Sequence, residues 1–132
     1  SVKTKRFDLP KNIEKPLYGL YEVYKNISLG AVTTEIYVCE GLFDCLRMWC
    51  NGKIAVAGFG CSFSEDQIKL LEGLPVRKLI LALDNDEAGR KATEKLKKRI
   101  KNKLITEAVI PSGHKDIGEL SDEEIQSLEE VF

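Results

Sequence analysis

The chain of 132 residues contains no apolar run near the ~18 residues that a spanning helix needs, and its opening stretch, SVKTKRFDLP, lacks the apolar core of a secretory signal. No membrane segment is expected, and a cytoplasmic location is. Excess charge of one sign is lacking too. Twenty Lys and Arg stand against 21 Asp and Glu, a net charge of -1, which gives little sequence-independent attraction to nucleic acid. Cysteine pairs of the CxxC kind are absent, so the four cysteines, Cys39, Cys45, Cys50 and Cys61, read as buried free thiols in a reducing compartment rather than as a zinc cluster. There is one histidine, His114, which reads as an exposed loop residue rather than a ligand. No repeat or low-complexity segment is visible, and the length suits one domain with one core. Position 1 is Ser rather than an initiator Met, from which a fragment of something longer is expected.

What is present centres on Leu79 to Gly89, LILALDNDEAG, where five apolar residues end in two carboxylates, Asp84 and Asp86, one residue apart. A run this short suits a strand covered on both faces in a parallel sheet. The acids then lie at its C-terminal end, where ligands bind in open α/β sheets. Extended backbone through Asn85 points both side chains the same way, a costly arrangement unless a cation lies between them or one takes up a proton. Hard oxygen donors without a nearby histidine favour magnesium or manganese over zinc. The competing reading is that Asp86 caps the next helix and Asp84 is a solvated strand end.

In chain order, Ser1 to Pro16 reads as a polar extended lead-in, and Leu17 to Ile27 as a short amphipathic helix. EIYVC, Glu35 to Cys39, reads as a strand that also ends in an acid, Glu40, with Gly41 freeing the backbone to turn sharply. A helix is expected over Leu42 to Cys50, with Leu42, Leu46 and Trp49 near one face and Asp44 in its first turn, either favouring the helix N-terminus or serving the chemistry. Ile54 to Ala57 reads as the next strand, running into GFGCS, a loop able to bring backbone N–H groups to a phosphate. Ser64 and Gln67 have capping-box spacing before a helix whose inner face is Ile68 and Leu71, and Gly73 and Pro75 stop it. After the central strand, Ala88, Ala92, Leu96 and Ile100 mark the buried stripe of a long helix whose outer face is basic. Within it Lys91, Lys95 and Lys98 share one sector, as a solvated face or a track for a phosphate backbone. A last strand, Leu104 to Ile110, leads to PSGHKD, and an acidic helix with Ile125 and Leu128 inward is expected from Ser121 to Phe132, capped by Ser121 with Glu124. Strands and helices alternate, which implies α/β architecture with a mainly parallel sheet and right-handed crossovers.

An acid and Gly after the first strand, a DxD after the third and an Asp after the fourth together resemble the Toprim domain of DnaG-type primases, topoisomerases and some nucleases. EGLFD resembles the primase EGYMD, GFGCSFSEDQ resembles GT-x-x-T-x-x-Q, DNDEAGRKA resembles DGDxAGxxA, PSGHKD resembles P-x-G-x-D, and LYGLYE resembles the segment ahead of the core in bacterial and phage primases. The resemblance implies a Rossmann-like Toprim fold over residues 34–132, preceded by a lead-in and short helix over 1–33. It implies that Asp84 and Asp86 are metal ligands, that Glu40 is a ligand or the acid/base, and that Asp116 completes the metal set. Asp44, Gly41 and Gly89 would support them, and Lys91, Lys95 and Lys98 would contact nucleic acid. The implied activity is metal-dependent nucleotidyl transfer with Mg2+ or Mn2+, making RNA primers from nucleoside triphosphates on single-stranded DNA, beside a replicative helicase. Cys61 stands where Thr is common and Gly118 where many primases carry a second acid. The zinc ribbon and much of the template-gripping subdomain are missing from this sequence, so little activity is expected of it alone. Alternatives are a small Toprim nuclease and a non-catalytic Toprim interaction module. A phospho-acceptor domain would want its paired acids after the first strand instead.

Overall fold

The computed structural model describes residues 16–30, 34–60 and 62–132. The expected lead-in lies outside them up to residue 15, as does Cys61. The elements are α1 (Leu20–Ser28), β1 (Glu35–Cys39), α2 (Leu42–Cys50), β2 (Ala55–Ala57), α3 (Glu65–Glu72), β3 (Lys78–Ala82), α4 (Glu87–Arg99), β4 (Leu104–Val109), a 3-10 turn (Ile117–Glu119), α5 (Asp122–Gln126) and β5 (Glu129–Val131). Among the described residues no helix is long and apolar enough to cross a membrane.

The strands form one sheet in the order β2-β1-β3-β4-β5, the first four parallel and β5 antiparallel to β4. From β1 the chain crosses to β2 on one side; from β3 it crosses to β4 on the other. The loops leaving β1 and β3 therefore diverge, and the crevice between them is the switch point at which α/β sheets bind ligands. Register places Cys39 opposite Ala82, so the residues next beyond them, Glu40 and the Leu83–Asp84 pair, emerge side by side.

Both faces of the sheet are covered. Ile36, Val38, Leu79 and Leu81 meet Leu20 and Val23 of α1, Ile68 and Leu71 of α3, and Ala92 and Leu96 of α4 in one core cluster. The alternate residues Tyr37, Cys39, Ile80 and Ala82 join Cys45 and Met48 of α2 with Ile117, Leu120 and Ile125 in another. This period of two explains why the strands read as continuous apolar runs. The β2 edge is closed by Tyr18, whose N–H and C=O exchange bonds of 2.8 and 3.0 Å with Ala57. At Gly19 the backbone (φ 83) passes so close to β2 that a Cβ would come within 2.6 Å of the Ala55 carbonyl.

Several expectations need correction. The first helix starts at Leu20 rather than Leu17, because the preceding residues pair with the sheet edge. In α2 the inward residues are Asp44, Cys45 and Met48. Leu42 and Leu46 turn out to solvent and line a shallow apolar groove of about 610 Å³ with Tyr18, Trp49 and Phe59. The face of the sheet beneath α2, with Tyr37, Cys39, Ala55 and Ala57, is filled instead by Cys45 and Met48. Cys39 and Cys45 are buried as expected, but Cys50, at the end of α2, is exposed. The acidic tail is helical only over Asp122–Gln126, after which it turns back as β5. There Glu130 meets Lys78 Nζ at 2.6 Å and the Thr106 hydroxyl at 2.9 Å, and the strand covers what would be an open edge of β4.

In α4 the buried stripe is Gly89, Ala92 and Leu96, with Ala88 exposed. A Cβ on Gly89 would lie 2.0 Å from the Asp84 carbonyl oxygen, so only glycine lets the helix approach the DxD loop this closely. Helix propensity favours alanine by about 1 kcal/mol, but the overlap is with backbone and cannot be relieved by a rotamer change. Gly89→Ala is expected to lower stability to urea by about 3 kcal/mol. A midpoint at or above the parent's would show that α4 does not depend on this approach.

Candidate active site

Three parallel strand ends deliver the acids: Glu40 follows β1, Asp84 and Asp86 follow β3, and Asp116 lies in the loop after β4. Glu40 Oε1 accepts the backbone N–H of Asp84 at 2.9 Å, so a candidate catalytic carboxylate itself joins the two sides of the crevice. Asp86 is the N-cap of α4, its Oδ1 accepting the Gly89 N–H at 2.8 Å. Capping occupies one of its oxygens, while Oδ2 faces Lys115 Nζ at 4.0 Å. Asp116 Oδ1 accepts the Glu119 N–H at 3.1 Å, capping the 3-10 turn. Asp44 is only 8 % exposed, and its Oδ1 accepts the Gly118 N–H at 3.0 Å, which fastens α2 to the loop that carries Asp116. Glu40, Asp86, Asp116 and Asp44 are thus each held by a backbone donor, an arrangement that fixes them at modest energetic cost, whereas the Asp84 carboxylate bonds to the side chain of Glu40.

The electrostatics show the strain of this gathering. Burial, and then the charges of Asp84 and Asp86, push Glu40 up to about 7, even though the Asp84 N–H opposes the shift. Asp84 is also raised, by burial and by the charges of Asp116 and Asp86, while its bond with Glu40 and the nearby Lys115 hold it down. The side-chain hydrogen bond between the two raises Glu40 and lowers Asp84. Burial, then Asp116 and Asp84, push Asp44 to about 6. Among the described residues no three acid, histidine or cysteine side chains form a ready-made metal cage. The donor set nevertheless fits a hard divalent cation. It is all oxygen, and the raised proton affinity of Glu40 and Asp84 marks excess negative charge of the kind that a cation would offset.

Other expected features fall elsewhere. Gly41 has ordinary extended dihedrals (φ -122, ψ 162), and a Cβ there would meet nothing nearer than Asp44 Oδ2 at 3.9 Å, so neither its conformation nor its packing demands glycine. The Gly58 and Gly60 N–H groups are taken by the carbonyls of Cys39 and Glu40, which removes them as phosphate donors. Lys91, Lys95 and Lys98 line a shallow depression on α4 with Glu94 and Arg99. Lys91 pairs with Glu87 at 3.7 Å, and Lys95 Nζ donates to the Phe63 carbonyl at 2.9 Å. His114 is half-buried between Glu119 and Glu124. Two residues of the crevice went unassigned by sequence reasoning. Asn85 bonds through its N–H to the Lys115 carbonyl at 2.6 Å and through its amide to the His114 carbonyl at 3.3 Å, and Lys115 stands over Asp86. The signal for both was their position inside DND and HKD.

Glu40 binds its proton more tightly in the folded chain, at about 7 against 4.5 for the ordinary carboxyl. Folding therefore takes up a proton in that interval, and stability falls as pH rises through it. Asp44 adds the same sign between 3.8 and about 6. In chelator-treated buffer the melting temperature is expected to drop from about pH 5 to about pH 7.5, and Glu40→Gln to flatten that drop. An undiminished drop in the variant would remove Glu40 from the coupled pair.

Comparison with known proteins follows the same geometry. The Toprim-like family model matches residues 37–121, which run from β1 through the Asp116 loop. The DNA primase of Campylobacter jejuni is 33% identical over 126 residues, covering 91% of this chain and 20% of that protein. A DNA primase domain from Pseudomonas aeruginosa superposes with a TM-score of 0.65 at 31% identity, covering 86% of this chain and 35% of that one. A DnaG primase catalytic domain bound to single-stranded DNA gives 0.63 at 28%, covering 84% and 37%. The chain thus spans about a fifth of the length of the curated relative it matches most extensively here, and about a third of the solved domains. With four parallel strands, acids at three of their ends and a family match across all of them, the chain belongs to the Toprim-like family.

Proposed function

We propose that this chain is the Toprim catalytic core of a DnaG-like primase, acting in RNA primer synthesis on single-stranded DNA by nucleotidyl transfer. The observation that carries the reading is the meeting of Glu40 and Asp84 across the switch-point crevice, at 2.9 Å from carboxylate to backbone. Its resemblance to primase catalytic domains, one of them bound to single-stranded DNA, supports primer synthesis over phosphodiester hydrolysis.

Asp84, Asp86 and Glu40, with Asp116 beside them, would hold Mg2+ or Mn2+. Such an ion supplies neutralisation of the triphosphate and of the charge that develops on leaving pyrophosphate. Glu40 would either join that ligand set or take the proton from an attacking 3′-hydroxyl, and its raised pKa in the metal-free crevice reflects burial and the charges that a cation would offset. Asp44 and the Gly118 N–H hold the Asp116 loop against α2, keeping the fourth acid at the crevice. The N-cap bond of Asp86 keeps the third in register with α4. The α4 lysines would follow a phosphate backbone beside it.

Three outcomes test this reading. Magnesium at ten times its Kd is expected to stabilise the parent by about 1.4 kcal/mol, raising its melting temperature by roughly 5 °C. Asp86→Asn, whose amide oxygen still caps α4, should melt no lower than the parent in chelator and lose most of the magnesium increment. Equal magnesium shifts in both would make Asp86 a structural cap alone. Exchanged for the matching segment of the Campylobacter primase, the chain should support ribonucleotide primer synthesis, and Asp84→Asn should lower it by about a hundredfold or more. Cleavage of single-stranded DNA by the exchanged protein without primer synthesis would favour the nuclease instead. Replacing Lys91, Lys95 and Lys98 together by Gln should reduce the slope of log affinity for single-stranded DNA against log salt; an unchanged slope assigns that face to solvent.

A further inference from the structure

The crevice gathers carboxylates, yet a nucleotide brings it more negative charge. Among the described residues, Lys115 is the one cation within 4.0 Å of a crevice carboxylate, its Nζ facing Asp86 Oδ2. The lysine is anchored at its backbone and loose at its tip. Its carbonyl accepts the Asn85 N–H at 2.6 Å, and its own N–H donates to Glu119 Oε1 at 2.8 Å, so the Cα is tied both to the DxD loop and to the 3-10 turn. The side chain stays 61% exposed, and its ion pair with Asp86 is long and solvated. A pair of this kind contributes little to stability, so packing of the fold does not account for a cation placed here.

Resting on the proposed reading of the crevice as a nucleotide site, we infer that Lys115 is a phosphate-binding residue for the distal phosphates of a nucleoside triphosphate. The lysine stands on the same loop as Asp116 and opposite Asp86, so a phosphate chain entering among those acids passes within reach of its ammonium. With a divalent cation held at Asp86, the pair at 4.0 Å would weaken, and the ammonium, on its four-carbon stem, would be free to meet a phosphate. Lysine suits this task because it follows a moving point charge, whereas the capping acids around it are fixed by backbone bonds. Asn85 keeps the two loops together, so the acids that would hold the cation and the lysine that would hold the phosphate move as one unit.

The test compares the parent chain with Lys115→Gln and Lys115→Arg. Two ligands are used: Mn2+ alone, followed by electron paramagnetic resonance, and a fluorescent ATP analogue with Mg2+, followed by anisotropy and competed with unlabelled ATP or AMP. Lys115→Gln should take up Mn2+ at least as well as the parent, since a neighbouring positive charge has gone. It should bind ATP about tenfold more weakly while AMP affinity changes little, and Lys115→Arg should restore most of the loss. Equal ATP affinity in Lys115→Gln and parent overturns the assignment. So does a parallel loss of ATP, AMP and Mn2+, which would mean that the lysine merely shapes the crevice. If the parent takes up no Mn2+ while Lys115→Gln still loses ATP selectively, the metal reading fails and the phosphate role of Lys115 stands.

Discussion

Like charges brought to one crevice must be held there, and that constraint organises the molecule. Glu40, Asp84, Asp86, Asp116 and Asp44 arrive from four separate segments, and each accepts a backbone or side-chain bond that offsets part of its desolvation. What remains unbalanced appears in the raised proton affinities of Glu40 and Asp84. A protein selected for stability alone would have no reason to collect these groups where burial raises the cost of every charge. Their concentration at the switch point is therefore better read as the preparation of a site than as a by-product of folding.

The scaffold beneath the acids is built for fixed positions. Alternate residues of β1 and β3 bury in opposite core clusters, so neither strand can slip without exposing a full row of apolar side chains. Gly89 lets α4 approach the Asp84 carbonyl, and Asn85 bridges to the Asp116 loop. Carboxylates set on strand ends and helix caps keep their geometry better than carboxylates on long loops, and phosphoryl transfer depends mainly on positioning and charge. Lys115 stands apart in combining an anchored backbone with a mobile tip.

Glycines in the motif stretches illustrate how similar sequence signals divide into different physical roles. Gly89 is required by a close backbone approach, whereas Gly41 has dihedrals open to any residue and room for a side chain. The loop glycines Gly58 and Gly60 turn their N–H groups toward the end of β1 rather than toward solvent. Gln67, which matches the last position of a primase-like loop, is fully buried as the second half of a capping box and reaches the Pro16 carbonyl at 3.4 Å. Its contribution is to fasten α3 and the entering chain.

Local pattern alone determined the strands Glu35–Cys39 and Lys78–Ala82 to within a residue, the helix Leu42–Cys50, both capping boxes, and the placement of Glu40, Asp84, Asp86 and Asp116 at strand ends. These features were legible because apolar periodicity and cap chemistry act between residues a few positions apart. Only the tertiary structure decided which face of α2 turns inward, since that depends on the residues of β1 and β2 that pack beneath it. The same holds for the tail, whose Glu130 finds Lys78 and Thr106 more than 20 positions away in sequence and forms a strand where composition suggested helix. Strand order, too, is a long-range outcome. It sets β1 beside β3, brings Glu40 to the Asp84 N–H across 44 residues, and raises the pKa of this half-buried carboxyl to about 7, because burial and neighbouring charge are properties of the assembled fold.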